Sequence, residues 1–136
     1  MPTVIVTRRV HFNAAHRLHN PDWPDTENAR VFGRCTNPNF HGHNYELDVS
    51  VEGTIDPVTG YVADLGLVKR IVEDLVVQRL DHRNLNLDVP EFASLNPTTE
   101  NLVVVIWRLL DGRLPGRLVR LTLWETPRNY VMYEGK

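Results

Sequence analysis

The sequence predicts an α+β fold: a four-stranded antiparallel sheet with two helices on one face, in the order ββααββ. Three observations predict it. Tyr45, Leu47, Val49 and Val51 alternate with Asn44, Glu46, Asp48, Ser50 and Glu52, the period of a strand with one buried face. Val68, Ile71, Val72, Leu75 and Val76 recur at helical spacing. The remaining strand-like runs lie in pairs toward the two ends of the chain, with hairpin connections. A chain of 136 residues and 15.7 kDa is expected to be one domain over 1–136, long enough to bury a core unaided.

Taken in order, Thr3 to Phe12 is rich in β-branched residues and reads as the first strand. Leu18 to Thr36 is polar, holds Pro21 and Pro24, shows no periodicity and reads as a long functional loop. The alternating strand over 44–52 ends at the turn Asp56-Pro57-Val58-Thr59-Gly60. Tyr61 to Ala63 is expected to return as a short antiparallel strand. Asp64 is placed to cap a helix running to about Leu80. Leu102 to Leu110 contains a β-branched run, Val103 to Ile106. The start signal Asn96-Pro97-Thr98-Thr99-Glu100 and the stop Leu110-Asp111-Gly112 nevertheless favour a buried helix. Leu118 to Glu125 and Tyr130 to Tyr133 form the last hairpin.

Composition excludes several classes. Thirteen of the 15 cations are arginines scattered along a chain of net charge −2. No basic block supplies the phosphate-neutralising charge that a nucleic-acid partner needs. No apolar run is long enough to span a bilayer. A basic start followed by an apolar region is missing, which predicts a cytoplasmic protein. The single cysteine, Cys35, forms no intrachain disulfide.

The candidate chemistry centres on histidine. His41-Gly42-His43 precedes the alternating strand, and the period of two puts both imidazoles on its buried face. His16 lies just past the first strand, where antiparallel pairing brings it close. Three histidines without a fourth protein ligand suit a catalytic zinc, and the alternative is hydrogen-bonded structural histidine. Cys35 is a fourth ligand, a base or nucleophile, or a small buried residue. Beside Arg34 and a metal, an exposed thiol would have a lowered pKa. Asp81-His82 is either an oriented proton-transfer pair or a histidine at a helix C-terminus. Glu125 continues a face formed by Val119, Leu121 and Leu123, so an inward carboxylate needs a partner. Either an arginine or the paired N–H donors of a guanidine-like ligand would serve.

Five motifs stand in order: Phe12-Asn13-Ala14-Ala15-His16-Arg17-Leu18; the run from Phe32 to Tyr45; Leu80-Asp81-His82-Arg83-Asn84-Leu85; Pro97-Thr98-Thr99-Glu100-Asn101; and Trp124-Glu125-Thr126. With them the chain resembles the 6-pyruvoyl-tetrahydropterin synthase family over essentially its whole length. The resemblance implies the tunnelling fold, assembled as trimers stacked into a barrel-shaped homohexamer with active sites at subunit interfaces. It implies Zn2+ on His16, His41 and His43. Cys35 becomes the catalytic thiol, with Asp81 and His82 completing a proton relay. Glu125 becomes the anchor of a pterin ring, with Thr98 and Thr99 lining the same pocket.

The implied activity is a carbon–oxygen lyase of tetrahydrobiopterin biosynthesis. It converts 7,8-dihydroneopterin triphosphate to 6-pyruvoyl-tetrahydropterin with loss of triphosphate. The six-residue step from Cys35 to His41, with its insert Thr36-Asn37-Pro38-Asn39-Phe40, resembles the tetrahydrobiopterin branch. The queuosine branch, which makes a carboxy product, typically has a shorter step. Phe40 stands where a smaller residue is common. A queuosine-branch lyase, and a non-catalytic pterin-binding protein carrying zinc, are the alternatives.

Overall fold

Two fourteen-residue strands, β1 (Thr3–His16) and β2 (His41–Thr54), pair antiparallel along their whole length and form the middle of a sheet. The computed structural model describes residues 1–136. Along β1 the side chains of Val10, Phe12, Ala14 and His16 are buried, and along β2 those of Tyr45, Leu47, Val49 and Val51. This is the alternation that the pleat imposes when one face is covered. Both strands run further than their apolar pattern predicts. The extension carries His16, His41 and His43 within the ladder rather than beside it.

β2 pairs with β4 (Arg117–Thr126), which pairs with β5 (Asn129–Tyr133), both antiparallel. The sheet has five strands, not four, with β3 (Arg83–Asn84) on the outside of β1 in the order β3-β1-β2-β4-β5, and it is mixed. The extra strand β3 is only Arg83–Asn84, parallel to Ala14–Ala15 of β1. A two-residue strand has too little length to show a period, which is why only tertiary pairing reveals it.

α2 (Leu65–Val72) and α5 (Thr99–Leu110) cover the apolar face and close one core over the sheet. Asp64 caps α2 as expected, its carboxylate accepting from the backbone N–H of Gly66 at 2.8 Å. The helix continues through a π-helical turn (Glu73–Val77) into a final turn, α3 (Gln78–Leu80). Thr98 caps α5, its hydroxyl accepting from Asn101 N–H at 3.1 Å. The β-branched run inside α5 is helical because the cap and the burial of Val103, Val105 and Ile106 outweigh local strand propensity.

Three expectations are corrected. The polar stretch 18–36 is not simply a loop: it contains α1 (Asp25–Phe32) and a 3-10 turn (Gly33–Thr36). α1 lacks an apolar stripe; its signals are Pro24 at the cap, Asp25 and Glu27 in the first turn, and Gly33 at φ +57° after the last. Buried Asn28 ties it down by exchanging hydrogen bonds with the backbone of Asn20. Second, 61–63 is not a strand but part of the turn into α2. Third, Leu118, not Val119, joins Leu121 and Leu123 in the core. A bulge opposite Ser50 and Val51 leaves Val119 as the extra residue and shifts the face by one position. Between α3 and α5 the chain makes a short helix, α4 (Leu85–Asp88), and a 3-10 turn, Pro90–Phe92.

Candidate active site

The register of β1 on β2 sets His16 opposite His41 and Ala14 opposite His43, so three imidazoles gather at one end of the central hairpin. Ring centroids lie 4.6 Å apart for His16 and His41, and 5.0 Å apart for each of the other two pairs. One ring nitrogen from each histidine falls within 4.8 Å of the others. His16 is fully buried, and its Nδ1–H donates to the carbonyl of Pro97 at 2.8 Å. That bond fixes the tautomer and turns the Nε2 lone pair toward His41 and His43. It is the outer support that metal-binding histidines usually have.

His16 Nε2, both ring nitrogens of His41 and His43 Nε2 are buried without any hydrogen-bond partner. Buried polar atoms are rarely left so, and three imidazoles orphaned toward one another fit a cation. The basicity of the rings agrees. Burial pushes the His16 pKa below the ordinary imidazole value, helped by the nearby His41 and His43 and opposed by the Pro97 bond. Burial and His43 lower that of His41. Neutral imidazole is the form that ligates metal.

Glu125 stands beside this cluster. Its Oε1 is 3.9 Å from His43 Nε2 and its Oε2 is 4.0 Å from His16 Nε2. No arginine pairs with it; instead the Thr99 hydroxyl donates to Oε2 at 2.7 Å. The Thr98 hydroxyl accepts the capping bond of α5. Tyr45, beneath the histidines, has its phenol pKa driven up by burial and by Glu125, so it stays protonated.

Cys35 lines a cavity that also touches His41 and His43. The loop bearing it is clamped to the chain after β1: Leu18 N–H donates to the Cys35 carbonyl, and Arg17 Nε–H to the Thr36 carbonyl, both at 2.8 Å. In the metal-free chain, burial and then Glu125 push the thiol pKa up. Asp81 and His82 form the anticipated pair, with Oδ2 and Nδ1 2.9 Å apart. Asp81 Oδ1 accepts from the backbone N–H of Asn13 at 2.9 Å, and that bond is the first cause of its lowered pKa. His82 adopts φ +59° and projects outward with a side chain 77% exposed. Within one chain neither Asp81 nor His82 bonds to Cys35: His82 lines a different cavity, with Asn13, Asn44 and Arg83.

Sequence reasoning missed the Pro97 carbonyl and the Asn13 backbone, because main-chain partners leave no residue-type signal. Phe40, at φ +68° immediately before His41, is the other non-glycine residue in left-handed backbone.

The family model described as 6-pyruvoyl tetrahydropterin synthase matches residues 5–136. The human 6-pyruvoyl tetrahydrobiopterin synthase is 48% identical over 132 residues, covering 96% of this chain and 91% of that protein. A Pyrococcus furiosus dihydroneopterin monophosphate aldolase is 40% identical over 119 residues, covering 86% and 85%. The structure of Caenorhabditis elegans 6-pyruvoyl tetrahydropterin synthase superposes with a TM-score of 0.93 at 40% identity, covering 100% of this chain and 98% of that one. The match of family model, sequence and fold over nearly the whole length means that the chain belongs to the 6-pyruvoyl tetrahydropterin synthase family.

Proposed function

We propose that the protein is a zinc-dependent lyase that converts 7,8-dihydroneopterin triphosphate to 6-pyruvoyl-tetrahydropterin and releases triphosphate. The observation that carries this reading is the juxtaposition of three imidazoles, each with a buried, unpartnered ring nitrogen, with Glu125 about 4 Å away. One end of the pocket suits a metal and the other suits a flat ring bearing paired N–H donors. Family membership over residues 5–136 supports the activity and the reading of 1–136 as one domain.

His16, His41 and His43 would hold the zinc, with His16 kept neutral by burial and oriented by Pro97. Bound zinc supplies Lewis acidity toward the hydroxyls of the substrate side chain. Glu125 accepts the pterin N–H edge, with Thr99 O–H fixing the orientation of its carboxylate. Cys35 acts as base and then acid at the side-chain carbons, and protons moved this way need no redox cofactor. His82, oriented by Asp81, exchanges the proton of the thiol with solvent.

The homohexamer implied by the family accounts for Cys35 and the Asp81–His82 pair lining separate cavities: the two halves would meet across a subunit interface.

The test is product identification. Zinc-loaded protein incubated anaerobically with dihydroneopterin triphosphate should yield the pyruvoyl pterin and free triphosphate by mass spectrometry. A carboxy product would move the chain to the queuosine reaction. The Pyrococcus relative shows that this scaffold also carries aldolase chemistry, so an aldehyde with a hydroxymethyl pterin would be a third outcome. No turnover with zinc bound would leave a pterin-binding protein.

A further inference from the structure

Glu125 has one oxygen in use and one free. Oε2 accepts the Thr99 hydroxyl at 2.7 Å, while Oε1 has no hydrogen-bond partner on the chain. That free oxygen lies 3.9 Å from His43 Nε2, and Oε2 lies 4.0 Å from His16 Nε2. Both contacts are too long for hydrogen bonds, and both nitrogens are buried without a partner. His16 Nε2 carries a lone pair, because the proton of that ring is spent from Nδ1 on Pro97. Acceptors thus face acceptors, an arrangement that a cation between them turns from repulsive to favourable.

The distances sharpen this. Ligand atoms about 2.0–2.1 Å from a tetrahedral zinc stand about 3.3–3.4 Å from one another. The three histidine nitrogens fall within 4.8 Å of each other, a triangle looser than a loaded one. Glu125 stands over the His16–His43 edge of that triangle. Reaching a metal there requires it to close by about 0.5–0.7 Å on those two corners and to swing toward His41. Thr99 holds Oε2 as a pivot, which leaves Oε1 free to make the swing.

We propose that Glu125 is the resting fourth ligand of the metal held by His16, His41 and His43, and that the ring of the substrate displaces it. The displacement rests on the pterin reading above. Oε1 leaves the metal to accept the paired N–H donors of the ring, and a side-chain hydroxyl oxygen of the substrate takes its place. One metal–oxygen bond breaks and one forms, with no change of oxidation state. Two partners that compete for one carboxylate are coupled, so ring binding and the opening of the metal become one event. The Lewis acid is then uncovered only with substrate in place.

The test uses the assembled protein saturated with cobalt(II), which three histidines suffice to hold, and reads its visible spectrum. Neutral imidazole probes the fourth position, and a pterin without a side chain probes the ring site. Wild type should bind imidazole at the metal about 10-fold more weakly than Glu125→Gln. Glu125→Asp keeps the charge but shortens the reach by one methylene, and should behave like Glu125→Gln. Saturating pterin should shift the wild-type spectrum and raise its imidazole affinity toward that of the variants, and should do neither in Glu125→Gln. In chelator competition, Glu125→Gln should hold zinc about 10- to 100-fold more weakly while still loading fully at saturation. Equal imidazole affinity in wild type and Glu125→Gln overturns the proposal. So does wild-type behaviour of Glu125→Asp, which would leave only the field of the carboxylate. Pterin that binds without moving the imidazole affinity overturns the displacement. If pterin does not bind while imidazole still separates wild type from the variants, the resting ligand stands and the pterin reading falls.

Discussion

His16 is kept neutral by burial and by its place opposite His41, and the Pro97 carbonyl, although it favours the charged ring, turns Nε2 inward. Its lowered pKa has a consequence for the metal-free protein. Between the folded and unfolded values the unfolded chain binds more protons, so stability rises with pH there. The contribution is full above about pH 6.5 and is lost as pH falls through the folded value. Urea midpoints should therefore drop between about pH 7.5 and pH 5.5, and the drop should shrink in His16→Gln. A midpoint that is flat or rises in acid counts against this account. Cys35 is tested separately: Cys35→Ala should keep its zinc and lose about 10²- to 10⁴-fold in kcat, the usual weight of a general base. Zinc lost together with activity would make the thiol a ligand. Glu125→Ala should weaken pterin binding with zinc content intact, and unchanged affinity would remove it from the pocket.

At the scale of elements, caps and core faces set the stability of the frame. Asp64 meets the first backbone N–H groups of α2, so Asp64→Ala should cost about 1 kcal/mol by chemical denaturation. Leu121 is fully buried on β4 between the sheet and the helices, and Leu121→Ala should cost about 2–5 kcal/mol. A loss under about 1 kcal/mol there would mean that the core collapses into the gap. The elements missed from sequence share one physical feature, namely that they are held by something other than a periodic apolar stripe. α1 stands on its cap chemistry and the buried amide of Asn28, and β3 on two residues pairing with β1. The bulge at Val119 depends on the register between β2 and β4, which no single strand encodes.

At the scale of the molecule, β3 covers only Ala14 and Ala15, so the remaining outer edge of β1 is unpaired, as is the outer edge of β5. Open edges of this length invite pairing with another copy. An assembly whose sites lie between subunits makes a sharp prediction. Cys35→Ala and His82→Ala should each be inactive alone, yet mixed subunits, dissociated and reassociated together, should regain activity. Sedimentation should show a particle of about six chains. Two inactive variants that never complement would place both residues' roles within one subunit.

Local pattern in the sequence determines the class of the fold, the ends of the long helices and the shared strand face of His41 and His43. All three are written in local pattern: periods of two and 3.6, caps, and histidines spaced to share a strand face. Only the tertiary structure decided how those pieces face one another. It set His16 against His41 and turned Thr99 rather than Thr98 toward Glu125. It also parted Asp81 and His82 from Cys35 within one chain. The reason is that register, burial and main-chain partners arise from contacts between residues far apart in the chain, and residue type alone does not encode them.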